Sequence, residues 1–405
     1  MMTNDDTSTK KMILVMRSTY FILWGSKFIG QQYMSMFLRE FPFTNDLIVG
    51  IMMSMGFLVT TLSQLVWGRV ADHAPTKNRV LAIVLAGVSA GFVLLVLPIH
   101  TSLPILSATC FVYYMFSAIP GMLVDTIVVE NTNKRGIHFG LVKSFASAGA
   151  GAFALIMFLI SLVMALRPAT TFVLALVSAV AAFFPISFLP ATKGHAYGVK
   201  AEKGKAPFKE ILKNSRLVLL LCFLLLFSIA LQATNVFMGI YYSTDAGFNA
   251  GLGMYGLFYA ICIAIETCLM LFGDRYWHKV RIYHIFTLAC LAACTRSLIF
   301  YLAPNIYVIQ LSGISHALIF APLWSRLSPY VNDIVSMELR ATGQAAWYIM
   351  VFGLGPMIGA AMAGVIVSNL GIRNLFLSTG AMLFVIGVVF YFLFRRQYKQ
   401  YEDGT

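Results

Sequence analysis

The sequence is built from apolar runs about as long as a membrane is thick, and this pattern constrains the fold more than any other feature. About 20 residues of α-helix cross the roughly 30 Å hydrocarbon core of a bilayer. Roughly twelve such runs follow one another, near residues 13–37, 47–69, 80–98, 103–128, 138–165, 169–190, 217–242, 250–272, 283–302, 305–328, 342–369 and 374–394. The pattern predicts an all-α polytopic membrane protein with twelve transmembrane helices.

The composition excludes the soluble classes of protein. Hydrophobic residues make up 59% of the 405 residues and charged residues only 11%, whereas soluble domains carry about 45–50% and about 25%. The 6 cysteines lie inside the apolar runs without the spacing of a zinc site, so we interpret them as small hydrophobic residues. The sequence also has no phosphate-binding loop. We therefore expect no metal, no organic cofactor and no direct use of ATP.

The basic residues are concentrated on one side of the predicted membrane. The 29 Lys and Arg exceed the 16 Asp and Glu by 13, and in a membrane protein this excess indicates cytoplasmic loops rather than nucleic-acid binding. The even-numbered connections and the tail hold most of them: Arg69, Lys77, Arg79, Lys134, Arg135, Lys193, Lys200, Lys203, Lys205, Lys209, Lys213, Arg216, Arg275, Lys279, Arg281, Arg395, Arg396 and Lys399. The positive-inside rule then predicts cytoplasmic termini, and the short loops favour a bacterial inner membrane.

The longest polar segment between two spans, residues 191–216, divides the chain into halves. It is rich in Lys and Gly and has no apolar period, as expected of a linker. We therefore predict a six-helix bundle over 1–190, a cytoplasmic basic linker over 191–216 and a second six-helix bundle over 217–405. Two bundles related by a repeat are typical of secondary transporters.

The short loop after the second span carries a motif of glycine, carboxylate and basic residues. Its members are Gly68, Asp72, Lys77 and Arg79. A glycine permits close helix approach, and a carboxylate can cap a helix start or pair with cations. The loop resembles the signature loop of the major facilitator superfamily, with Thr76 at the second glycine position, and residues 273–281 repeat part of it in the second half. The resemblance implies a non-enzymatic transporter whose loop takes part in the conformational change.

We select six ionisable residues inside the predicted spans, because such residues are costly there and usually functional. They are Lys27, Asp125, Lys143, Glu266, Arg296 and His316. Asp125 and Lys143 lie about 10 Å deep on neighbouring antiparallel helices, given the helical rise of ~1.5 Å per residue. Opposite charges at equal depth predict an ion pair. That pair either binds substrate or only locks the two helices together.

The stretch from Asp125 through Phe139 and Gly140 to Lys143 resembles the sugar–proton symporter branch of the superfamily, which contains the lactose permease. That resemblance implies that Asp125 and Lys143 bind the hydroxyls of a sugar. It further implies that three later positions link proton transfer to sugar binding, namely Glu266, Arg296 and His316. The protein is expected to act as a monomer with a small-molecule substrate, protons and the lipid bilayer as its partners.

Three features differ from the lactose permease pattern. The glutamate that the branch protonates would fall near Ile319, and its galactose-stacking tryptophan would fall near Ala150. The seventh span has Gln232 and Asn235, beside Ser228, where the branch has charged residues. We therefore add Gln232 and Asn235 to the predicted substrate-binding residues. A symporter without the missing glutamate must use Glu266 or Asp125 as its proton carrier.

Lys27 has no counterpart in the pattern and bears on the choice of substrate. A buried lysine pairs with a carboxylate such as Glu266, loses its proton, or meets an anionic substrate. We predict a proton-coupled symporter of a hydroxyl-rich solute, either a sugar, a glycoside or a sugar acid, with Lys27 among the binding residues. The alternatives are an efflux antiporter of organic anions or amphipathic drugs, a membrane enzyme and a channel. The fifth span lacks the proline typical of drug antiporters.

Overall fold

The computed structural model describes residues 4–195, 197, 213–244, 247–277 and 279–402. Every regular element in this part of the chain is helical. The helices are α1 Asn4–Gln32, α2 Met34–Arg39, α3 Asp46–His73, α4 Lys77–Val96, α5 Leu103–Ser117, α6 Ile119–Asn133, α7 Phe139–Ser161, α8 Pro168–Ala181, α9 Phe183–Ser187, α10 Ser215–Ser243, α11 Gly251–Trp277, α12 Ile282–Leu302, α13 Ile306–Leu311, α14 Gly313–Ile334, α15 Arg340–Ile349, α16 Gly355–Leu370 and α17 Ile372–Glu402. Most of the predicted linker, 191–216, lies outside the described residues.

Eleven helical segments in the described chain are long and apolar enough to cross a membrane. They correspond to the second through twelfth predicted spans, so the prediction of a multi-pass membrane protein is confirmed. The remaining predicted span, 13–37, coincides with α1 and α2, which are interrupted at Tyr33. Helix α1 has 29 residues but is not among the eleven, and it carries Arg17 and Lys27 within the predicted span. The twelfth crossing therefore stays a prediction.

Several spans consist of two helices because proline interrupts the backbone ladder. Pro120 sits in the first turn of α6, where it cannot donate a hydrogen bond to the carbonyl four residues earlier. The chain therefore breaks between α5 and α6 at Ala118. Pro356 opens α16 in the same way, and the turn before it, Met350–Leu354, widens into a π-helix. These breaks place short irregular turns inside spans that the sequence predicts as single helices.

The chain forms two compact units. The first unit comprises residues 1–44, 59–203 and 252–260. In it α1 packs along α7, and this packing needs small residues. A Cβ atom at Gly149 would collide with the backbone of Phe21, and one at Gly25 with the ring of Phe153. This close packing brings the polar residues of α1 next to those of α7.

The second unit comprises residues 45–58, 204–251 and 261–405. Its core contains an aromatic cluster, in which the ring of Phe223 is stacked against Phe286 and packed edge-on against Phe390 and Phe394. Helix α12 packs along α17 and against α14, and α10 packs on α16, where Gly359 approaches the carbonyl of Ile229. These contacts bury the middle of α12 and fix the position of Arg296.

Candidate functional site

In the first unit, the structure brings Asp125 and Lys143 together as an ion pair. Lys143 Nζ donates to Asp125 Oδ2 at 2.9 Å, and the hydroxyl of Tyr20 donates to the other carboxylate oxygen at 2.7 Å. The two charged side chains keep 43% and 32% of their surface exposed. The ammonium group of Lys143 also lies 5.4 Å from the ring centre of Phe139. The pair is therefore accessible rather than sealed inside the helix packing.

Tyr20 is a member of this site that the sequence analysis missed. Its side chain is completely buried. In the described part of the chain, its hydroxyl donates a hydrogen bond to Asp125. The signal that could have found it is its spacing on α1. Tyr20, Trp24 and Lys27 follow at intervals of four and three residues, which places them on one face of a helix. Tyr20 and Trp24 touch, with ring centroids 5.1 Å apart.

Lys27 belongs to the surroundings of the same ion pair. Its ammonium lies 5.5 Å from the ring centre of Trp24, and it is attracted by Asp125 and repelled by Lys143. A cavity of about 20 Å³ beside it is also lined by Ser26 and Ser117, which is room for about one water molecule. Glu266, the partner suggested by the sequence, belongs to the other unit. Among the described residues, Asp125 is the carboxylate whose charge acts on Lys27.

The second unit holds a separate chain of polar contacts in which four predicted residues meet. Arg296 is fully buried on α12, and its Nη2 donates to Asn235 Oδ1 at 3.0 Å. Its Nη1 lies 3.2 Å from His316 Nδ1. On the other side of the ring, His316 Nε2 faces Glu266 Oε2 at 3.7 Å. The order of contacts is Asn235, Arg296, His316 and Glu266, supplied by α10, α12, α14 and α11.

The hydrogen-bonding roles in this chain follow from the guanidinium of Arg296. A guanidinium donates and cannot accept, so His316 Nδ1 must be the acceptor. The single ring proton of a neutral histidine then sits on Nε2 and points toward Glu266. A doubly protonated ring would turn a donor toward the donors of Arg296. The geometry therefore directs the Nε2 proton of a neutral His316 toward the carboxylate of Glu266.

Other predicted site residues lie elsewhere. Gln232 is half-buried on α10 and makes no hydrogen bond to the network in the described chain. Gly68 needs no close helix approach, because a Cβ there would meet only Met122 Cε at 3.8 Å. Asp72 does not cap a helix: it lies in the last turn of α3, and Thr76 is the residue that precedes α4. Helix α3 continues through the motif to His73, so Asp72 is not at a helix start. The part that the loop takes in the conformational change stays a prediction.

The basic residues of the loop have different environments. Arg79 is exposed, whereas Lys77 is almost completely buried, with a relative exposure of 1%. Lys77 Nζ lies 3.8 Å from Glu130 Oε2, and Lys134 also pairs with Glu130 at 2.8 Å. Glu130 did not stand out in the sequence because it lies at the end of a span, where charges are common. Among the described residues no group of three His, Cys, Asp or Glu could hold a metal ion.

Comparisons with known proteins agree with this architecture. Residues 13–378 match the sequence pattern described as "MFS_1 like family". The chain belongs to the MFS_1 like family. This membership, together with the eleven apolar helices, confirms a transporter of the major facilitator type embedded in a membrane as a multi-pass protein. The sugar–proton symporter branch is a finer assignment that family membership leaves open.

Individual relatives of this family member are distant in sequence but similar in fold. A protein of Bacillus subtilis (strain 168) named "Uncharacterized transporter YwbF" is 22% identical over 354 residues, or 86% of this chain and 85% of the relative. The crystal structure of the nucleoside transporter NupG matches 95% of this chain and 98% of its own, with a TM-score of 0.77 and 16% identity. A peptide transporter POT (E310Q mutant) matches with a TM-score of 0.72 and 14% identity over 93% of this chain and 94% of its own. These likenesses establish the fold.

Proposed function

We propose that this family member is a proton-coupled symporter of a small hydroxyl-rich solute, either a sugar, a glycoside or a sugar acid, which works by alternating access. The observation that carries the proposal is the partly exposed ion pair between Asp125 and Lys143. An ion pair that only locks two helices gains from being sealed off from competing groups. This pair leaves 43% of the Lys143 side chain and 32% of the Asp125 side chain accessible, so a solute can reach it.

The ion pair offers both kinds of hydrogen bond that a sugar hydroxyl needs. Lys143 has three donors and uses one for Asp125. Each carboxylate oxygen of Asp125 accepts one bond from the protein and retains a lone pair for a hydroxyl. Hydrogen bonds to charged groups are about twice as strong as neutral ones. A hydroxyl-rich solute can use these sites, whereas an apolar drug would leave them desolvated.

Glu266 is the residue we assign to proton binding. It is the carboxylate of the second polar chain, and His316 presents its Nε2 proton toward it. Arg296 keeps His316 in that tautomer, and Asn235 positions Arg296. Protonation of Glu266 would weaken its attraction to this chain of contacts. Proton binding in the second unit would thereby be linked to the conformation of the transporter. The proton gradient would drive transport, and no cofactor would be needed.

The named neighbours support a polar solute as the cargo. NupG is named a nucleoside transporter and POT a peptide transporter, and one POT family transporter was crystallised with 5-aminolevulinic acid. All these are polar molecules. For this chain the substrate class rests on its own side chains, since the sequence identity to these structures is 13–16%. We further propose a location in the bacterial inner membrane with cytoplasmic termini.

A second candidate function is supported by the excess of positive charge near the sites. Lys27, Lys143 and Arg296 outnumber Asp125 and Glu266, and Lys27 makes no hydrogen bond in the described chain. An organic anion could therefore be the cargo, and an antiporter could export it. This alternative shares the binding residues of the symporter. It differs in the direction of movement relative to protons.

Transport in proteoliposomes separates these possibilities. A panel of labelled sugars, glycosides and uronic acids should accumulate when an inward proton gradient is imposed and should equilibrate when an ionophore removes it. Asp125→Asn should abolish binding, while the exposed Asp333→Asn serves as the matched control. Accumulation driven by an outward proton gradient would instead support the antiporter. Specific competition by lipophilic cations alone would reject the symporter.

A further inference from the structure

Three aromatic rings in the second unit lie parallel to one another. The planes of Phe320 and Trp324 differ by 13° with centroids 5.9 Å apart, and those of Trp324 and Phe352 differ by 12° with centroids 5.6 Å apart. We refer to Phe320, Trp324 and Phe352 as the aromatic column. Offset stacking of this kind is one of the arrangements that aromatic rings prefer. Such an arrangement is suited to a further flat ring.

The aromatic column begins at the polar chain that contains Glu266. The ring centroid of Phe320 lies 4.7 Å from that of His316. His316, Phe320 and Trp324 are spaced by four residues on α14, which places them along one face of the helix. From His316 to Trp324 the helix rises about 12 Å. A molecule that spans this distance has the size of one sugar plus one aromatic ring.

Phe352 reaches the column from an unusual backbone turn. It lies in the π-helical turn Met350–Leu354, directly before Pro356. Single π turns inside α-helices are rare and frequently occur at functional sites. The neighbouring Tyr348 touches Phe352, with centroids 4.4 Å apart. Tyr348 and Phe352 are 46% and 42% exposed, so this end of the column is open.

The two tryptophans near the aromatic column, Trp324 and Trp347, differ in the hydrogen bonding of their indole N–H groups. Trp347 is buried, and its Nε1 donates to Gln344 Oε1 at 2.6 Å. Gln344 is itself fixed by Ser328 and Asn332. Trp324 is only half-buried, and its Nε1 donates no hydrogen bond in the described part of the chain. The indole N–H of a tryptophan that only packs in a core usually has a hydrogen-bond partner. The indole N–H of Trp324 is therefore available to a ligand.

We propose that the aromatic column is a subsite for a planar aromatic or heteroaromatic ring carried by the transported solute. The inference rests on the proposed function and narrows its substrate class to ring-bearing glycosides. The hydroxyl groups nearest the ring would lie toward the polar chain at His316, and the ring would stack on Trp324 and Phe352.

A lipid acyl chain is a weaker explanation for the exposed rings. It would cover them without using their parallel orientation and without accepting a hydrogen bond from Trp324. It would also give no reason for the column to start at His316. A planar ring with an acceptor atom or an attached hydroxyl uses all three features. Stacking on an aromatic side chain typically changes binding by about tenfold or more.

Matched pairs of glycosides test the subsite directly. Binding of phenyl and methyl glycosides of glucose, galactose and ribose would be measured with the purified full-length protein in nanodiscs. The free ring probe 4-nitrophenol would be measured beside them. The variants are Trp324→Leu, which removes the ring, Trp324→Phe, which keeps a stacking surface, and Trp67→Leu as the control tryptophan in the first unit. Thermal melting would verify that each variant is folded.

The wild-type protein should bind a phenyl glycoside about tenfold more tightly than its methyl partner. Trp324→Leu should reduce the ratio of phenyl to methyl glycoside affinity to about one, while Trp324→Phe and Trp67→Leu should preserve the wild-type ratio. Equal affinities for both partners in the wild type would overturn the ring subsite and leave the sugar proposal standing. Binding of 4-nitrophenol that depends on Trp324, without binding of any glycoside, would support the subsite and reject the sugar. If no probe depends on Trp324, the inference is wrong.

Discussion

Arg296 Nη1 lies 3.2 Å from His316 Nδ1, and this contact determines which nitrogen of the imidazole carries a proton. The guanidinium can only donate, so Nδ1 accepts and the proton of the neutral ring is on Nε2. Nε2 is also the nitrogen that faces Glu266. His316 thus stays in one tautomer between the cation Arg296 and the carboxylate of Glu266, and we call this its fixed-connector role. Under the proposed symport, the coupling proton would then be exchanged at Glu266.

His316→Gln tests this assignment, because a glutamine side chain has the same two roles. Its amide oxygen can accept from Arg296 and its NH₂ group can donate toward Glu266. We expect this variant to retain most proton-driven accumulation in proteoliposomes. His316→Leu lacks both groups and should lose it. If His316→Gln is as inactive as His316→Leu, a titrating imidazole is required and the fixed-connector role is wrong.

Glu266→Gln should separate coupling from transport. The amide imitates the protonated carboxyl group, so the variant cannot alternate between two protonation states. Uphill accumulation in a proton gradient should fall to the equilibrium level, while exchange of labelled for unlabelled solute should continue. Asp333→Asn, at an exposed position of α14, is the control. Unchanged uphill transport by Glu266→Gln would transfer the proton-carrying role to Asp125.

The division of the chain into helices could be predicted from the sequence, because each span buries its own backbone hydrogen bonds and needs a fixed apolar length. The breaks inside spans were less evident. Proline at position 120 or 356 is visible in the sequence, but whether it only kinks a helix or widens the preceding turn, as at Met350–Leu354, depends on the packing around it. The first span remained uncertain because Arg17 and Lys27 reduce its apolar character.

The site residues divide in a similar way. Charged residues inside spans are conspicuous, so Asp125, Lys143 and Arg296 could be selected from the sequence, and their depth suggested which would meet. Tyr20 could not, since a tyrosine in an apolar helix is usually a packing residue. Gln232 and Asn235 lie only three residues apart on α10. Which of them reaches Arg296 depends on the rotation of α10 against α12, and no local pattern encodes that rotation.

The role of the Asp125 and Lys143 pair can be tested by removing its members singly and together. Asp125→Ala or Lys143→Ala leaves an uncompensated charge, which costs about 3–5 kcal/mol when buried and less at this exposure. Each variant should abolish substrate binding. The double Ala variant should also fail to bind, because the hydroxyl partners are gone. Lys279→Ala, at an exposed lysine, is the control. Recovery of transport by the double variant would mean that the pair only holds the two helices together.

Tyr20→Phe should weaken substrate binding without abolishing it. The variant removes one hydrogen bond to a charged acceptor, worth about 1.5–3 kcal/mol in protein stability, and it leaves the Lys143 contact in place. Because Asp125 is partly exposed, we expect a decrease in affinity of about tenfold. Isothermal titration of the purified variant would measure it. Tyr307→Phe, at an exposed tyrosine, is the control, and an affinity equal to that of the wild type would exclude a positioning role for Tyr20.

The orientation in the membrane can be tested at Lys203, a position outside the described residues. In a variant that lacks the native cysteines, Lys203→Cys should react with a membrane-impermeant maleimide in inverted vesicles and not in intact cells. The reason is that the excess of positive charge around residues 191–216 is retained in the cytoplasm. Efficient labelling from outside the cell would reverse the predicted topology of both termini.

Lys27→Met should distinguish acidic from neutral substrates. The methionine keeps the length and apolar stem of the lysine and removes its charge, which in the wild type interacts with Trp24 and Asp125. If Lys27 completes the site, uronic acids should lose about tenfold or more in affinity, as expected for a charge-assisted hydrogen bond, while the corresponding neutral sugars change little. Competition binding with matched glucose and glucuronic acid derivatives measures this difference, and Lys193→Met is the control. An equal loss for both sugars would mean that Lys27 acts only by organising Asp125.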